Sequence, residues 1–242
     1  MTIAVNAAGF AGAGLSVIVP VYNEGPIVSR VLAELQLRLP SAEIVAVDDG
    51  SEDDTWDHIL AQPGIRGIRF PHNLGQSAAI YFGLRSATQP LVAIMDGDGQ
   101  NDPADFSRLI GVLRNSGADV VCGYRAHRHD TWQRRVVSRI GNRIRRAFLH
   151  DGARDTGCSQ KVFRRELVEL LVPFRGMHRY LPAIFRHAGL RVTEVAVNHR
   201  ARLGGVSKYG NWHRALDGIF DLMGVSWLLD RKLLPPQMES AP

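Results

Sequence analysis

Long hydrophobic runs are missing from this sequence, and so is any cluster of cysteines. The best apolar stretch, Gly218 to Leu229, is bounded by Asp217 and Asp230 and holds Asp221 inside it. A helix that crosses a bilayer needs roughly twenty mostly apolar residues, so the chain is expected to touch a membrane at most. No basic start followed by an apolar stretch opens it, and residues 1–14 (MTIAVNAAGFAGAG) read as a flexible tail, not a leader. The two cysteines, Cys122 and Cys158, form no CxxC pair. They read as buried or free thiols in a reducing compartment. Internal repeats and low-complexity linkers are absent, and the four tryptophans are most simply core or interfacial anchors.

What is present is a core. Apolar residues make up 45% of the 242, enough to exclude disorder and to fill one α/β domain with a peripheral extension. The net charge of +5 favours an anionic partner: nucleic acid, a phosphorylated substrate or an acidic membrane surface.

Strand-like and helical runs alternate through the first half. Leu15–Val21, Glu43–Val47, Ile65–Phe70, Leu91–Met95 and Ala118–Gly123 read as strands. Glu24–Leu39, Leu74–Ala87 (with Asn73 as cap) and Asp102–Asn115 (with Asp102 as cap and Pro103 at the first position) read as helices. Near-continuous apolar strands separated by helices predict a mostly parallel sheet covered on both faces. Such sheets bind ligands at the carboxyl ends of their strands. Three of those ends carry polar groups: Tyr22-Asn23-Glu24, Asp48-Asp49-Gly50-Ser51 and Asp96-Gly97-Asp98.

After Gly123 the character changes. Residues 131–149 space apolar positions helically among arginines, predicting a basic amphipathic interface helix, and 211–232 predict a second amphipathic helix. The organisation expected is a tail (1–14), a catalytic-type α/β domain (15–210), the C-terminal helix (211–232) and a flexible tail (233–242).

Asp96-Gly97-Asp98 with Gln100 is the strongest chemical cue. Oxygen ligands at alternate positions in a tight turn suit a hard divalent cation, Mg²⁺ or Mn²⁺, which in turn bridges phosphate oxygens. Gly97 and Gly99 are expected to let the backbone bend and approach a ligand closely.

VPVYNE (Val19–Glu24), VDDGSEDDT (Val47–Thr55), HNLGQSAAIYFGL (His72–Leu84) and MDGDGQNDP (Met95–Pro103) stand in the order and spacing of a known family. Together they resemble the family-2 glycosyltransferases with the GT-A (Rossmann-like) fold. GYR (Gly123–Arg125), VSRIGNRI (Val137–Ile144), RDTGCSQKVFRRE (Arg154–Glu166) and RLGGVSKYG (Arg202–Gly210) make the chain most similar to the polyprenyl-phosphate, dolichol-phosphate mannose synthase-like members.

The resemblance implies roles. Pro20, Tyr22, Glu24 and Asp49 match positions that hold base and ribose. Asp96 and Asp98 match the nucleotide- and metal-binding pair, and Gln100 a further metal ligand. Arg125, Arg139 and Arg202, with Ser207 and Lys208, match groups that gather the acceptor phosphate and donor diphosphate and complete the catalytic set with Asp98. The implied reaction is inverting, metal-dependent transfer of a sugar from a GDP- or UDP-linked donor to a polyprenyl phosphate. The implied place is cytoplasmic, peripheral on the cytosolic face of an anionic membrane; a homo-oligomer or an anchoring subunit is left open. Asp155 is expected to order its loop, not to act as a base.

Other readings are weaker. The glycines at 9, 12 and 14 precede the first strand, whereas a dinucleotide loop follows one. The D-G-D-G string also resembles an aspartyl phosphatase motif, but the other motifs oppose that. No nucleic-acid motif accompanies the arginines, so nucleic acid is not expected as a partner. Two alternatives stay open, a family-2 transferase with a non-polyprenyl or soluble acceptor and a non-catalytic nucleotide-sugar binder.

Overall fold

A computed structural model describes residues 12–126, 145, 148, 149, 151–201 and 212–232, with backbone alone for 212–219. Seven strands form one sheet in the order β3-β2-β1-β4-β6-β5-β7. They are β1 (Leu15–Val21), β2 (Glu43–Asp48), β3 (Ile65–Arg69), β4 (Leu91–Ile94), β5 (Val120–Arg125), β6 (Lys161–Arg164) and β7 (Val192–Val197). All neighbours pair in parallel except β6, which runs against both β4 and β5. The helices are α1 (Gly25–Arg38), α2 (Thr55–Leu60), α3 (Gln76–Ser86), α4 (Asp105–Asn115), α5 (Leu181–His187) and α6 (Trp212–Arg231).

Alternation along β1 explains the layers. Val17, Val19 and Val21 point into one core with Val28, Leu32 and Leu35 of α1 and Phe106 and Leu109 of α4. Ile18 points the other way, into a core with Ala79, Ile80 and Leu84 of α3, Phe185 of α5 and Leu222, Val225 and Leu229 of α6. Every residue of β1 is buried, as a strand covered on both faces requires. Gly83 allows α3 to lie close on this sheet: a Cβ there would meet Ile18 Cγ2 at 2.4 Å and Val47 Cγ2 at 3.0 Å.

Several boundaries differ from the sequence expectation. Asn73 does not cap α3, which starts at Gln76 after Gly75 (φ +93°). The Asn73 amide donates instead to Asp49 Oδ2 (3.0 Å). Asp102 does not cap α4 directly. Its carboxylate accepts from Ala104 N (3.0 Å) in the preceding turn, and the helix starts at Asp105. The fifth strand lies two residues later than expected, and α2, β6, β7 and α5 were not anticipated.

The basic helix expected over 131–149 lies outside the described residues apart from Arg145, Phe148 and Leu149. Arg145 departs from a solvated basic face. It is buried, pairs with Asp151 (3.0 Å) and donates to Ala153 O (2.6 Å). No described helix is long and apolar enough to cross a membrane.

Candidate active site

The carboxyl ends of β1, β2 and β4 converge on one edge, and the antiparallel β6 brings its amino end there too. Behind β1, Thr55 Oγ1 accepts from Glu24 N (2.9 Å) and Gly25 N (2.8 Å), supplying the start of α1 with a cap from another segment. Asn23 (φ +51°) and the β2 loop are stitched together in both directions: Asn23 N donates to Ser51 Oγ (2.9 Å) and Glu52 N to Asn23 Oδ1 (2.9 Å). Tyr22 and Glu24 stand half-buried at this seam, and Pro20 is paired with Val47 across the sheet.

Asp49 is committed to the 73–75 loop. Its carboxylate accepts from Leu74 N (2.8 Å), Gly75 N (2.9 Å) and the Asn73 amide. Burial raises its pKa, with these backbone N–H groups pulling the other way. A cleft of about 500 Å³ opens between Gly50–Glu52 and Phe70–Asn73. Gly50 (φ +71°) shapes it, since a Cβ would lie 2.4 Å from the His72 carbonyl carbon. None of Pro20, Tyr22, Glu24 and Asp49 lines this cleft.

The Asp96–Asp98 turn follows β4 on the same edge of the sheet. Asp96 accepts from the Gln76 amide (2.8 Å), and its backbone N–H reaches Asn101 Oδ1 (3.2 Å) and Ser159 Oγ (3.3 Å). Burial, then the neighbouring Asp98 carboxylate, push Asp96 up to about 6. Asp98 Oδ1 accepts from Gln100 N (3.1 Å), and the Gln100 side chain lies 3.5 Å from His199 Nε2. The two glycines act differently from one another. Gly99 (φ +77°) makes the bend, whereas the room at Gly97 is filled by β1, with Val21 Cγ1 2.3 Å from where a Cβ would stand.

Among the described residues no three histidine, cysteine or acidic side chains gather as a metal cluster. Two mutually repelling carboxylates nevertheless fit Mg²⁺ or Mn²⁺, ions held by one or two carboxylates with substrate phosphates completing the shell.

Arg125 lies at the end of β5, and its guanidinium is taken by Asp155 (Nε–Oδ2 2.7 Å, Nη2–Oδ1 2.9 Å). Burial alone would lower its pKa; the Asp155 bonds outweigh this and raise it. Arg139, Arg202, Ser207 and Lys208 lie outside the described residues. Arg200, next to them in sequence, bridges Glu34 (2.9 Å) and Asp102 (2.8 Å) and so ties the 198–200 segment over the turn.

Sequence reasoning gave no role to three groups, although Gln76 stands within a quoted motif and His178 reads from the sequence only as an unranked candidate near the acceptor. Gln76, Lys161 and His178 line a second cavity of about 220 Å³ that ends on Asp96. Lys161 did stand within a motif quoted above, but a lysine in a strand signals nothing until its neighbours are placed. His178 Nδ1 is 2.7 Å from Ser77 Oγ, which also accepts from Gly176 N (3.0 Å). Burial, aided by Arg179 and Lys161, lowers His178 to about 3, so its imidazole is neutral.

This sheet is that of a glycosyltransferase of the GT-A fold. The chain belongs to glycosyl transferase family 2, whose model matches residues 16–171. It is 36% identical over 239 residues to dodecaprenyl-phosphate galacturonate synthase of Rhizobium johnstonii, a match covering 91% of this chain and 69% of that protein. It is 34% identical over 204 residues to undecaprenyl-phosphate 4-deoxy-4-formamido-L-arabinose transferase of Serratia proteamaculans, covering 81% of this chain. The match takes in 62% of the Serratia protein, less than two thirds of its length. Glucosyl-3-phosphoglycerate synthase of Mycobacterium tuberculosis, solved with Mn²⁺ and UDP-glucose, shares the fold at a TM-score of 0.68 and 20% identity. That alignment covers 88% of this chain and 80% of the other.

Proposed function

We propose that this protein transfers a sugar, with inversion, from a GDP- or UDP-linked donor to a polyprenyl phosphate, with Mg²⁺ or Mn²⁺ as cofactor. The observation that carries the reading is the Asp96–Asp98 pair at the end of β4, with Asp96 lining a cavity of about 220 Å³ that has room for a sugar. The lipid acceptor is supported by the relatives, both named for polyprenyl-phosphate products.

Asp96 and Asp98, with Gln100, would hold the ion. When bound, it neutralises charge on the departing nucleoside diphosphate. The chain's own residues do the rest by positioning. The 73–75 loop, clamped by Asp49, shapes the donor cleft. Arg139, Arg202, Ser207 and Lys208 are assigned to the two phosphate-bearing substrates, as arginine forks suit phosphate oxygens. An acceptor phosphate is ionised near neutral pH, so its oxygen attacks the anomeric carbon from the face opposite the leaving diphosphate without a strong base. Asp155 fits that economy, because both of its oxygens are engaged by Arg125.

Membrane contact is supported by α6. It buries Leu222, Val225 and Leu229 and turns Phe220, Met223 and Trp227 outward, with Arg231 over the Trp227 ring at 5.5 Å. Apolar and cationic groups on one exposed face suit an anionic leaflet.

The test is a donor screen with Mg²⁺ or Mn²⁺ and a short polyprenyl phosphate, GDP- and UDP-sugars in parallel. Butanol-extractable sugar from one donor, lost with EDTA and in Asp98→Ala, is the expected result. A donor that binds but gives no lipid product would remove the acceptor assignment. Flotation with anionic and neutral vesicles tests the membrane face, and failure to float with the anionic ones would remove it.

A further inference from the structure

The turn assigned to the ion is strapped in place by side chains that are not themselves assigned as ligands. β4 is four residues long, and the backbone after it bends at Gly99 (φ +77°) before α4 begins at Asp105. Asp98 and Gln100 flank that bend. From the β6 side, Asn101 Oδ1 accepts from Ser159 Oγ (2.9 Å) and Asp96 N (3.2 Å), and the Gln160 amide donates to Asp102 O (2.8 Å).

The second strap is the segment after β7. Asn198 N donates to Asp105 Oδ2 (2.7 Å), His199 forms an antiparallel bridge with Asn101, and Arg200 N donates to Gln100 O (2.9 Å). The Arg200 guanidinium then spans two elements. Its Nη2 meets Asp102 Oδ1 at 2.8 Å, and its Nη1 donates to both oxygens of Glu34 at 2.9 Å. Glu34 is a firm anchor, because α1 buries its neighbours Val31, Leu32 and Leu35 against the core. One residue thus joins the Gln100 carbonyl, the Asp102 carboxylate and a packed helix.

The same contacts divide the charge of the turn. Asp96, Asp98, Asp102 and Asp105 place four carboxylates within ten residues. Arg200 takes Asp102 and Arg108 takes Asp105 (2.6 Å). The outer two are thereby committed to the protein's own cations, and the ion is assigned to the inner two.

We infer that Arg200 is a positioning residue for the metal site: by fastening the 98–102 turn to Glu34 of α1, it holds Asp98 and Gln100 ready for Mg²⁺ or Mn²⁺. This rests on the metal-dependent reading above and extends it to a residue outside the ligand set. A guanidinium stays protonated and cannot ligate a cation, so Arg200 acts through geometry or through charge. These predict opposite signs. Loosening the turn weakens cation binding, whereas removing a nearby positive charge strengthens it.

The EPR signal of free Mn²⁺ is followed as the full chain is titrated, with UDP and GDP in parallel. Arg200→Gln removes a positive charge, Glu34→Gln a negative one, and both cut the same strap. Partly exposed ion pairs contribute little to stability, so both variants are expected to fold, and melting curves check this. Each is expected to bind Mn²⁺ about tenfold more weakly than wild type, the usual loss when support behind a metal ligand is removed. Tighter binding by Arg200→Gln overturns the proposal and makes the effect one of charge. Unchanged affinity in either variant overturns it as well, since the tie to α1 would then serve the fold alone. If the wild type takes up no Mn²⁺ with either nucleotide, the metal reading fails first and takes this proposal with it.

Discussion

Asp155 grips Arg125 at three points: the guanidinium through Nε (2.7 Å) and Nη2 (2.9 Å), and the backbone N–H (3.2 Å). The pair is largely buried, with 17% and 8% of the two side chains exposed. It fixes the end of β5 against the loop that leads into β6.

Removing the carboxylate leaves a buried guanidinium without its partner. Asp155→Ala is expected to cost about 3 kcal/mol, which for a chain of this size lowers Tm by roughly 6–12 °C. Chemical denaturation read against wild type checks it. A loss under about 1 kcal/mol would mean that solvent or another acceptor replaces the carboxylate.

At pH 8 Asp96, near 6 in the fold, is ionised beside Asp98. Asp96→Asn keeps an acceptor for the Gln76 amide and removes the repulsion. The variant without metal is expected to melt a few degrees higher while turnover falls at least about 100-fold. Calorimetry and the lipid-product assay together decide it; a variant that melts lower would show that the charge at 96 serves the fold.

The neutral state of His178 gives stability a pH dependence. Unfolded, a histidine titrates near 6.5, whereas here the value is about 3. Between those values the unfolded chain binds the proton and the folded chain does not, so this contribution is intact above about 6.5 and declines as pH falls toward 3. The charged groups that depress it are Arg179 and Lys161. Urea unfolding at pH 7.5 and 5 should show a smaller drop in His178→Gln than in wild type, and identical drops would remove the assignment.

Cys122 and Cys158 are buried, and burial pushes their thiols up to about 12 and about 11. Neither is expected to react with a thiol reagent at pH 8 in the native protein, and both should react after guanidinium unfolding. Rapid labelling of one thiol in native conditions would reveal a local opening around β5 or the loop before β6.

The acidic edge was legible because its strands are short apolar runs ending in acidic turns. β1, β2 and β4 are buried on both faces; Val21 and Asp48 hand over directly to polar loops, and β4 does so after the buried Met95. β6 was not legible as a strand. It has four residues, KVFR, with a charge at each end, and Lys161 is inside only because its neighbours on both sides bury it. β7 escaped for the opposite reason. As an edge strand it is mostly half-buried, and Thr193 and Glu194 interrupt its apolar run. Gln76 and His178 belong to segments a hundred residues apart that only the packing of α3 against the turn at Met177–Arg179 brings together. Asp49 shows the limit of motif matching: its place in the motif was readable, but its bonds to residues 73–75 were not.

β5 and β6 are already fastened where they meet, by Gly123 N to Gln160 O (2.7 Å) and by Cys122 standing opposite Lys161. The chain between them leaves and returns at one point of the sheet, and closing a longer loop adds free energy only with the logarithm of its length. That makes the junction a natural seam for chimeras, provided that Arg145 and Asp151, which pair at 3.0 Å, are exchanged together.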